Sequence, residues 1–180
     1  WSRSTTSFRQ DLDRLYQAGY RSISLSSFID NIINVPAGLS PVVITFDDSS
    51  PGQLTFIKDG DTLKPDPNCA VAILEDFARQ HPDFGLNATF FVLPAADPPH
   101  NLFGQDEYQK QKLEYLVQHG FEIGNHTYWH QQLTDLPDDE VLRQIGQANK
   151  AIIELLPGYR VRAFALPLDE WPPNRSLVFS

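Results

Sequence analysis

Apolar, strand-like runs alternate with helical patterns along the chain, and this alternation restricts the possible folds. The runs are almost continuously apolar, as in strands that are covered on both faces of a parallel sheet. Five runs are clear, at residues 23–25, 42–46, 88–93, 121–123 and 163–168, and a weaker one lies at 54–57. Apolar residues at helical spacing predict helices around residues 8–16, 28–33, 70–78, 113–117 and 137–155.

This strand-then-helix order predicts an α/β fold with parallel strands, of the (β/α) barrel type. A closed barrel of that kind has about eight strands. The chain supplies five clear ones and a sixth that is weaker. We therefore expect a barrel that is incomplete in this chain.

The composition indicates one globular domain and excludes some partners. The chain has 180 residues, of which 41% are hydrophobic and 21% are charged. Its formal net charge of −9 argues against general nucleic-acid binding, which requires a basic face. The single cysteine, Cys69, cannot form an intrachain disulfide and is expected in the core. No apolar run approaches the length of about 20 residues that a membrane span needs.

The two ends suggest that residues 1–180 are one catalytic domain truncated at its C-terminal end. The sequence contains no methionine, so Trp1 is not a translation start. Residues 176–180 are predicted to open a strand. We therefore expect a signal or anchor upstream, and further strands downstream, in the full protein.

Two motifs at predicted strand ends carry the candidate chemistry. Asp47 and Asp48 directly follow the run 42–46, and His126 and His130 follow the run 121–123. Strand ends of a (β/α) barrel share one rim, so these side chains should meet. On a helical turn, two histidines four positions apart would face the same way. Two imidazoles and a carboxylate form an open metal site that is common in hydrolases.

The residues alone leave the roles within this site open. Neighbouring residues at a strand end point in opposite directions, so one aspartate can ligate a metal while the other accepts a proton. Spacing does not decide which is which. The alternatives are a capping pair of aspartates and a solvated histidine turn. The remaining histidines, His81, His100 and His119, are expected to be surface residues.

The motifs Thr45-Phe46-Asp47-Asp48 and His126-Thr127-x-x-His130 resemble those of the polysaccharide deacetylase family, the NodB homology domain of carbohydrate esterase family 4. The strand 88–92 and the segment 120–126 are similar to the family's second strand and second motif. The lead-in 11–23 resembles that of bacterial members. The resemblance covers nearly the whole chain and implies a distorted (β/α) barrel.

The resemblance also implies a function and a role for each residue. The family removes N-acetyl or O-acetyl groups from polysaccharides, and from this substrate class we expect a bacterial protein that is extracellular or at the cell surface. By its pattern, Asp48, His126 and His130 bind a divalent metal, usually Zn²⁺ and sometimes Co²⁺ or Ni²⁺. Asp47 is then the base for attack by metal-bound water, and the backbone N–H of Leu168 stabilises the oxyanion. Thr127 is expected to shape the histidine turn.

The chain departs from the family pattern at several positions. The segment 165–169 replaces the usual Arg-x-Pro-aromatic-Gly, so Ala165 stands where the arginine that steadies the base is expected. On a regular strand Arg162 would point to the opposite face. Ser49 replaces a glycine, and residues 52–68 are an insertion. The last motifs, with the general-acid histidine, are absent from this chain.

These departures keep two alternatives open. One is a metal-containing carbohydrate-binding relative that has lost turnover. The other is a hydrolase of a different amide or ester on the same scaffold. The polysaccharide itself remains open among peptidoglycan, chitin-like oligomers, a biofilm polymer and xylan, and so does the oligomeric state.

Overall fold

The computed structural model describes residues 3–179 and contains helices on a small parallel sheet. The helices are α1 (Thr5–Gln17), α2 (Leu25–Ile29), α3 (Ala70–Gln80), α4 (Gln109–Gln118) and α5 (Asp138–Leu155). The strands are β1 (Tyr20–Ser22), β2 (Ser40–Val42), β3 (Thr45–Phe46), β4 (Phe56–Asp59), β5 (Thr62–Pro65), β6 (Thr89–Val92) and β7 (Glu122–Asn125). Short 3₁₀ turns cover Asp106–Tyr108, Leu133–Asp135, Pro167–Asp169 and Arg175–Phe179. None of the described helices is long and apolar enough to cross a bilayer.

Strand β6 is the centre of the sheet that carries the site. It pairs in parallel with β3 on one side and β7 on the other, with Phe46 opposite Phe90 and Phe90 opposite Ile123. Strands β1 and β2 form a second parallel pair, and β4 and β5 form an antiparallel hairpin. The predicted parallel α/β architecture is confirmed. Within residues 3–179 the three sheets do not join into a closed barrel.

Aromatic packing on β6 holds this sheet together. The fully buried ring of Phe90 stacks on Phe46 with centroids 4.8 Å apart. Phe121 and Phe103 meet the same ring edge-on, at 5.6 and 6.0 Å. Such pairs stabilise by about 1 kcal/mol each beyond the area that they bury. The beginning of β7 and the loop after β6 are thereby fixed to the centre of the sheet.

Two of the predicted strands differ from those in the structure. The run 42–46 is divided between two sheets, because the Val42 carbonyl accepts from Ile23 N–H and the Ile44 carbonyl accepts from Thr89 N–H. The run 23–25 is wrong as a strand: β1 ends at Ser22, and the Ser24 hydroxyl caps α2 by accepting from Ser27 N–H at 3.0 Å.

Two further segments were predicted as strands and are not. In the run 163–168 only Phe164 forms a bridge, to Asn125, and Pro167 then begins a 3₁₀ turn because it has no N–H for a ladder. Residues 175–179 also form a 3₁₀ turn, while Trp1 and Ser180 lie outside the described residues. The helix predicted at 28–33 ends at Ile29, and Asn31 follows with a left-handed φ of 55°. The insertion 52–68 contains the β4–β5 hairpin, whose first strand overlaps the weaker predicted run 54–57, and Cys69 is buried as expected.

A buried lysine secures the loop that leaves β6. Lys112 of α4 is 0% exposed, and its Nζ donates to the carbonyls of Phe103 and Gly104 at 2.8 and 2.9 Å. Leu102 and Phe103 are buried beside it although both have positive φ. Removal from water lowers the pKa of Lys112 from 10.5 to about 8. The loop between β6 and α4 is therefore anchored in the interior.

The first prediction concerns the pH dependence of folding. The folded protein releases the Lys112 proton near pH 8, whereas the unfolded chain holds it to about pH 10.5. Unfolding between these values takes up a proton, so raising the pH favours the folded state. Relative to Lys112→Met, the wild-type free energy of unfolding should rise between pH 7.5 and 10.5, by at most about 3 kcal/mol.

Urea titrations of both proteins across this pH range measure the difference. Lys58→Met, which removes an exposed lysine from β4, controls for loss of charge alone. A wild-type minus Lys112→Met difference that stays constant over the range would contradict the prediction.

Candidate metal centre

The aspartate pair lies on a tight turn immediately after β3. Asp48 has a φ of 72° and Ser49 a φ of 41°, both in the left-handed region. This turn reverses the chain and directs the Asp48 carboxylate towards the end of β7. The turn therefore gives Asp48 an orientation that a continued strand would not.

The histidine segment is a loop held by side-chain hydrogen bonds, and it is not the helical turn on which two histidines four positions apart would face the same way. Thr127 and His130 have φ values of 72° and 62°, which end any helical path. Asn125 Oδ1 accepts from Thr127 N–H at 2.7 Å, and Thr127 Oγ1 accepts from His130 N–H at 3.0 Å. These local bonds replace the helical ones. Thr127 thus shapes the turn, as the resemblance implies.

Asn125 and Gln144 attach this loop to α5. Asn125 Nδ2 donates to the Ile145 carbonyl and to Asn149 Oδ1, at 2.9 and 2.8 Å. The buried Gln144 accepts from Trp129 N–H at 3.0 Å. The positions of both histidines consequently depend on the packing of α5.

The donor atoms of Asp48, His126 and His130 converge on one point. Asp48 Oδ1 lies 3.3 Å from His126 Nε2 and 3.2 Å from His130 Nε2. All three donor atoms lie within 4.8 Å of one another. Ligands about 2.0–2.1 Å from a tetrahedral Zn²⁺ are separated by about 3.4 Å. The three side chains therefore fit a divalent ion and leave further coordination positions open.

A backbone carbonyl orients the buried histidine. His126 is 2% exposed, so the solvated-turn alternative is wrong for this residue. Its Nδ1 lies 3.0 Å from the carbonyl oxygen of Ala165. The tautomer that donates this bond carries its proton on Nδ1 and presents the Nε2 lone pair to the site. Ala165 thus has a role here through its backbone.

Burial and neighbouring charges shift two pKa values at the site. Partial desolvation raises the pKa of Asp47, and the Asp48 carboxylate adds to this, while His126 and His130 oppose it. Desolvation also lowers the pKa of His130, and His126 contributes in the same direction. A raised pKa favours proton acceptance by Asp47, and a lowered one keeps His130 neutral, as a metal ligand must be.

No arginine supports Asp47 among the described residues. Arg162 donates to both carboxylate oxygens of Asp30, at 2.8 and 3.0 Å, and so is not a substitute, as predicted. The backbone carbonyl of Asp47 accepts a hydrogen bond from Gln53 Nε2. The Asp47 side chain remains exposed at the rim.

The cavity that contains the site has a volume of about 1270 Å³ and is lined by Asp47, Asp48, His126 and His130. Leu168 and Trp171 form part of the same wall. Leu168 is 63% exposed and has a φ of 57°. The structure therefore brings all five residues predicted for the site to one cavity.

Sequence reasoning missed the support beneath the aspartate turn. His100 is exposed as predicted, yet its Nδ1 lies 3.3 Å from the Asp48 carbonyl oxygen. Ser49 is completely buried and contacts the same loop. The one sequence signal was the presence of Ser49 where the family pattern has glycine.

The chain belongs to the polysaccharide deacetylase family, whose sequence profile matches residues 35–177. It is 28% identical over 146 residues to a chitooligosaccharide deacetylase of Sinorhizobium fredii. That alignment covers 79% of this chain and 55% of the relative, so the chain spans little more than half of that protein.

Two solved structures are similar to this chain, and one of them superposes over nearly all of it. The deacetylase PplD of Streptococcus pyogenes, solved with acetate, superposes with a TM-score of 0.70 at 18% identity, over 99% of this chain and 70% of that one. The peptidoglycan deacetylase PdaC of Bacillus subtilis is 27% identical, with a TM-score of 0.48, over 75% of this chain and 53% of that one. The incomplete distorted barrel of the NodB type is thus confirmed by the PplD superposition.

The second prediction separates metal ligand from base. His126→Ala removes a buried donor atom and should reduce bound zinc to less than about a tenth of the wild-type content, since an open three-ligand site tolerates no such loss. Asp47→Asn should retain zinc. Metal analysis of the purified, zinc-equilibrated variants measures both. Equal retention in the two variants would contradict the assignment of ligands.

Proposed function

We propose that this protein is a metal-dependent hydrolase that removes N-acetyl or O-acetyl groups from a polysaccharide. The observation that carries the proposal is the convergence of three metal-ligand atoms beside an unpaired carboxylate, in one cavity of a polysaccharide deacetylase fold. A metal-assisted hydrolysis of an acetyl group needs these parts: a site for the cation, a base and space for the substrate.

Asp48, His126 and His130 would hold the cation. Two imidazoles with one carboxylate suit Zn²⁺, and Co²⁺ or Ni²⁺ accept the same donors. When bound, such an ion lowers the pKa of water and polarises a carbonyl oxygen. The fit rests on the 3.2 and 3.3 Å separations and on the Nδ1 contact that fixes the His126 ring.

Asp47 is the proposed base. Its carboxylate lies in the same cavity as the three ligands and is exposed to the water that it must deprotonate. The raised pKa supports this role, because a stronger base accepts a proton more readily. We assign to the Leu168 N–H the stabilisation of the oxyanion that forms at the acetyl carbon. Its support is the position of Leu168 on the cavity wall.

The proposed substrate is a polysaccharide or oligosaccharide that carries acetyl groups. The similar proteins act, by their names, on chitooligosaccharides and on peptidoglycan. A polymer containing N-acetylglucosamine is therefore the first candidate, and acetylated xylan is the test for O-deacetylation. With a cell-envelope polymer as substrate, the proposed setting is outside the cell or at its surface. The net charge of −9 favours a neutral or cationic sugar over a nucleic acid.

One observation favours a second candidate, a relative that binds metal and carbohydrate without turnover. Ala165 occupies the position of the arginine that steadies the base, and Arg162 is committed to Asp30. A base without this support is less well oriented, and misorientation alone can reduce a rate by orders of magnitude. The two candidates predict the same metal site and differ in acetate release.

The third prediction is that the zinc-loaded protein releases acetate and that Asp47→Asn does not. Loss of a general base should reduce kcat by at least about 100-fold, with zinc retained. Acetate is measured enzymatically after incubation with N-acetylglucosamine oligomers and with acetylated xylan. Asp13→Asn, which removes an exposed carboxylate on α1, should behave as wild type.

The outcomes distinguish the candidates. Zinc and oligosaccharide binding without acetate release would support the binding relative. Acetate release from a different amide or ester alone would support a hydrolase of another substrate. Full activity in Asp47→Asn would overturn the assignment of the base.

A further inference from the structure

The turn that carries Asp47 and Asp48 is strained, and its neighbours must hold it. Asp48 and Ser49 have φ values of 72° and 41°. Residues with side chains adopt this region reluctantly and keep it only where the surrounding contacts over-determine it. Ser49 stands where glycine, which has no such restriction, is usual in the family pattern. Contacts of Ser49 must therefore stabilise this backbone conformation.

Ser49 supplies the compensating contacts itself. It is 0% exposed, and its Oγ donates to the His100 carbonyl at 2.7 Å while accepting from Leu93 N–H at 3.0 Å. Its own carbonyl accepts from Phe103 N–H at 2.8 Å. The hydroxyl is thus satisfied both as donor and as acceptor. Three hydrogen bonds join this residue to the end of β6 and to the loop that follows it.

The loop after β6, to which Ser49 is hydrogen-bonded, is itself fixed by buried contacts. Phe103 is 0% exposed and packs edge-on against Phe90 at the centre of the sheet. Its carbonyl, with that of Gly104, accepts from the buried ammonium of Lys112. Two of the three Ser49 hydrogen bonds, those with Leu93 and Phe103, therefore tie it to buried residues.

The hydrogen bonds of Ser49 hold the residue next to Asp48, a proposed metal ligand. Ser49 follows Asp48 in the chain, and the Asp48 carbonyl lies 3.3 Å from Nδ1 of His100. Asp48 Oδ1 must stay within 3.2 and 3.3 Å of the two histidine nitrogens. Rotation of the Asp48–Ser49 peptide would change the direction of the Asp48 side chain and so move its carboxylate away from the two histidine nitrogens.

We infer that Ser49 is a positioning residue for the metal centre: its buried hydroxyl ties the Asp47–Asp48 turn to the loop after β6 and so sets the Asp48 carboxylate for metal binding. The inference rests on the proposed function only for the role of Asp48 as a ligand. It deepens that proposal by naming the residue that replaces the usual glycine and the reason for the replacement.

Two substitutions separate the hydroxyl from the backbone conformation. Ser49→Ala keeps Cβ and removes both side-chain hydrogen bonds, leaving Leu93 N–H buried without its acceptor. Ser49→Gly also removes them but relieves the backbone strain at a φ of 41°. Ser50→Ala, one residue further along and only part-buried, is the matched control.

The measurement is the affinity for Zn²⁺, by competition with a chromophoric chelator, on full-length proteins whose folding is checked by circular dichroism. We expect both Ser49 variants to bind zinc at least about tenfold more weakly than wild type, as is typical when a residue that orients a ligand is lost. Ser50→Ala should match wild type. The visible spectrum of bound Co²⁺ should also change in the Ser49 variants, because the geometry of the Asp48 ligand changes.

Several results would overturn the inference. Affinities within twofold of wild type in Ser49→Ala, even with a lower melting temperature, would show that Ser49 is merely structural. Wild-type affinity in Ser49→Gly would show that the backbone conformation alone matters. If Ser49→Ala does not fold, the glycine variant decides. A wild-type protein that binds no zinc would overturn the metal centre as well, so the two failures are distinguishable.

Discussion

The parallel pairing of β6 with β3 and β7 is the interaction on which the site depends. Phe46, Phe90 and Ile123 stand opposite one another across these strands, so β3 and β7 finish at the same edge of the sheet. Residues 47–48 and 126–130 are distant in sequence, and only this register brings them together. The stacking of Phe46 on the buried Phe90 stabilises that register, because a shift of one residue would turn Phe46 to the other face.

Register brings the segments together, but two strained turns aim the ligands. Positive φ values occur at Asp48 on one side and at Thr127 and His130 on the other. Each turn is held by polar side chains: Asn125 and Thr127 satisfy backbone N–H groups in the histidine loop, and Ser49 does so for Leu93. The centre is therefore preorganised by hydrogen bonds of the protein, which lowers the cost of ordering the ligands when an ion binds.

Features that depend on the local residue pattern could be predicted from the sequence. Features that depend on hydrogen bonds between distant segments could not. Strand β6, the helices other than α2 and the site motifs follow from apolar periodicity and residue type. The division of residues 42–46 between two sheets does not, because an apolar run cannot show which strand accepts which carbonyl. Spacing of four residues suggested a helix at His126 and His130, and the same spacing is satisfied by a turn that Thr127 braces. The contact of Ser49 with the loop after β6 joins segments that no periodicity relates.

The missing arginine changes which part of the structure must orient the base. An arginine beside a carboxylate contributes both positive charge and directed hydrogen bonds. A divalent ion held by the centre would supply the positive charge, which would oppose the desolvation and the Asp48 repulsion that raise the pKa of Asp47. A metal ion bound by Asp48 donates no hydrogen bond to Asp47, so it cannot replace the second. Within residues 3–179 the hydrogen bond at Asp47 is made by its backbone carbonyl, so the direction of its side chain depends on the turn that the buried hydroxyl of Ser49 holds.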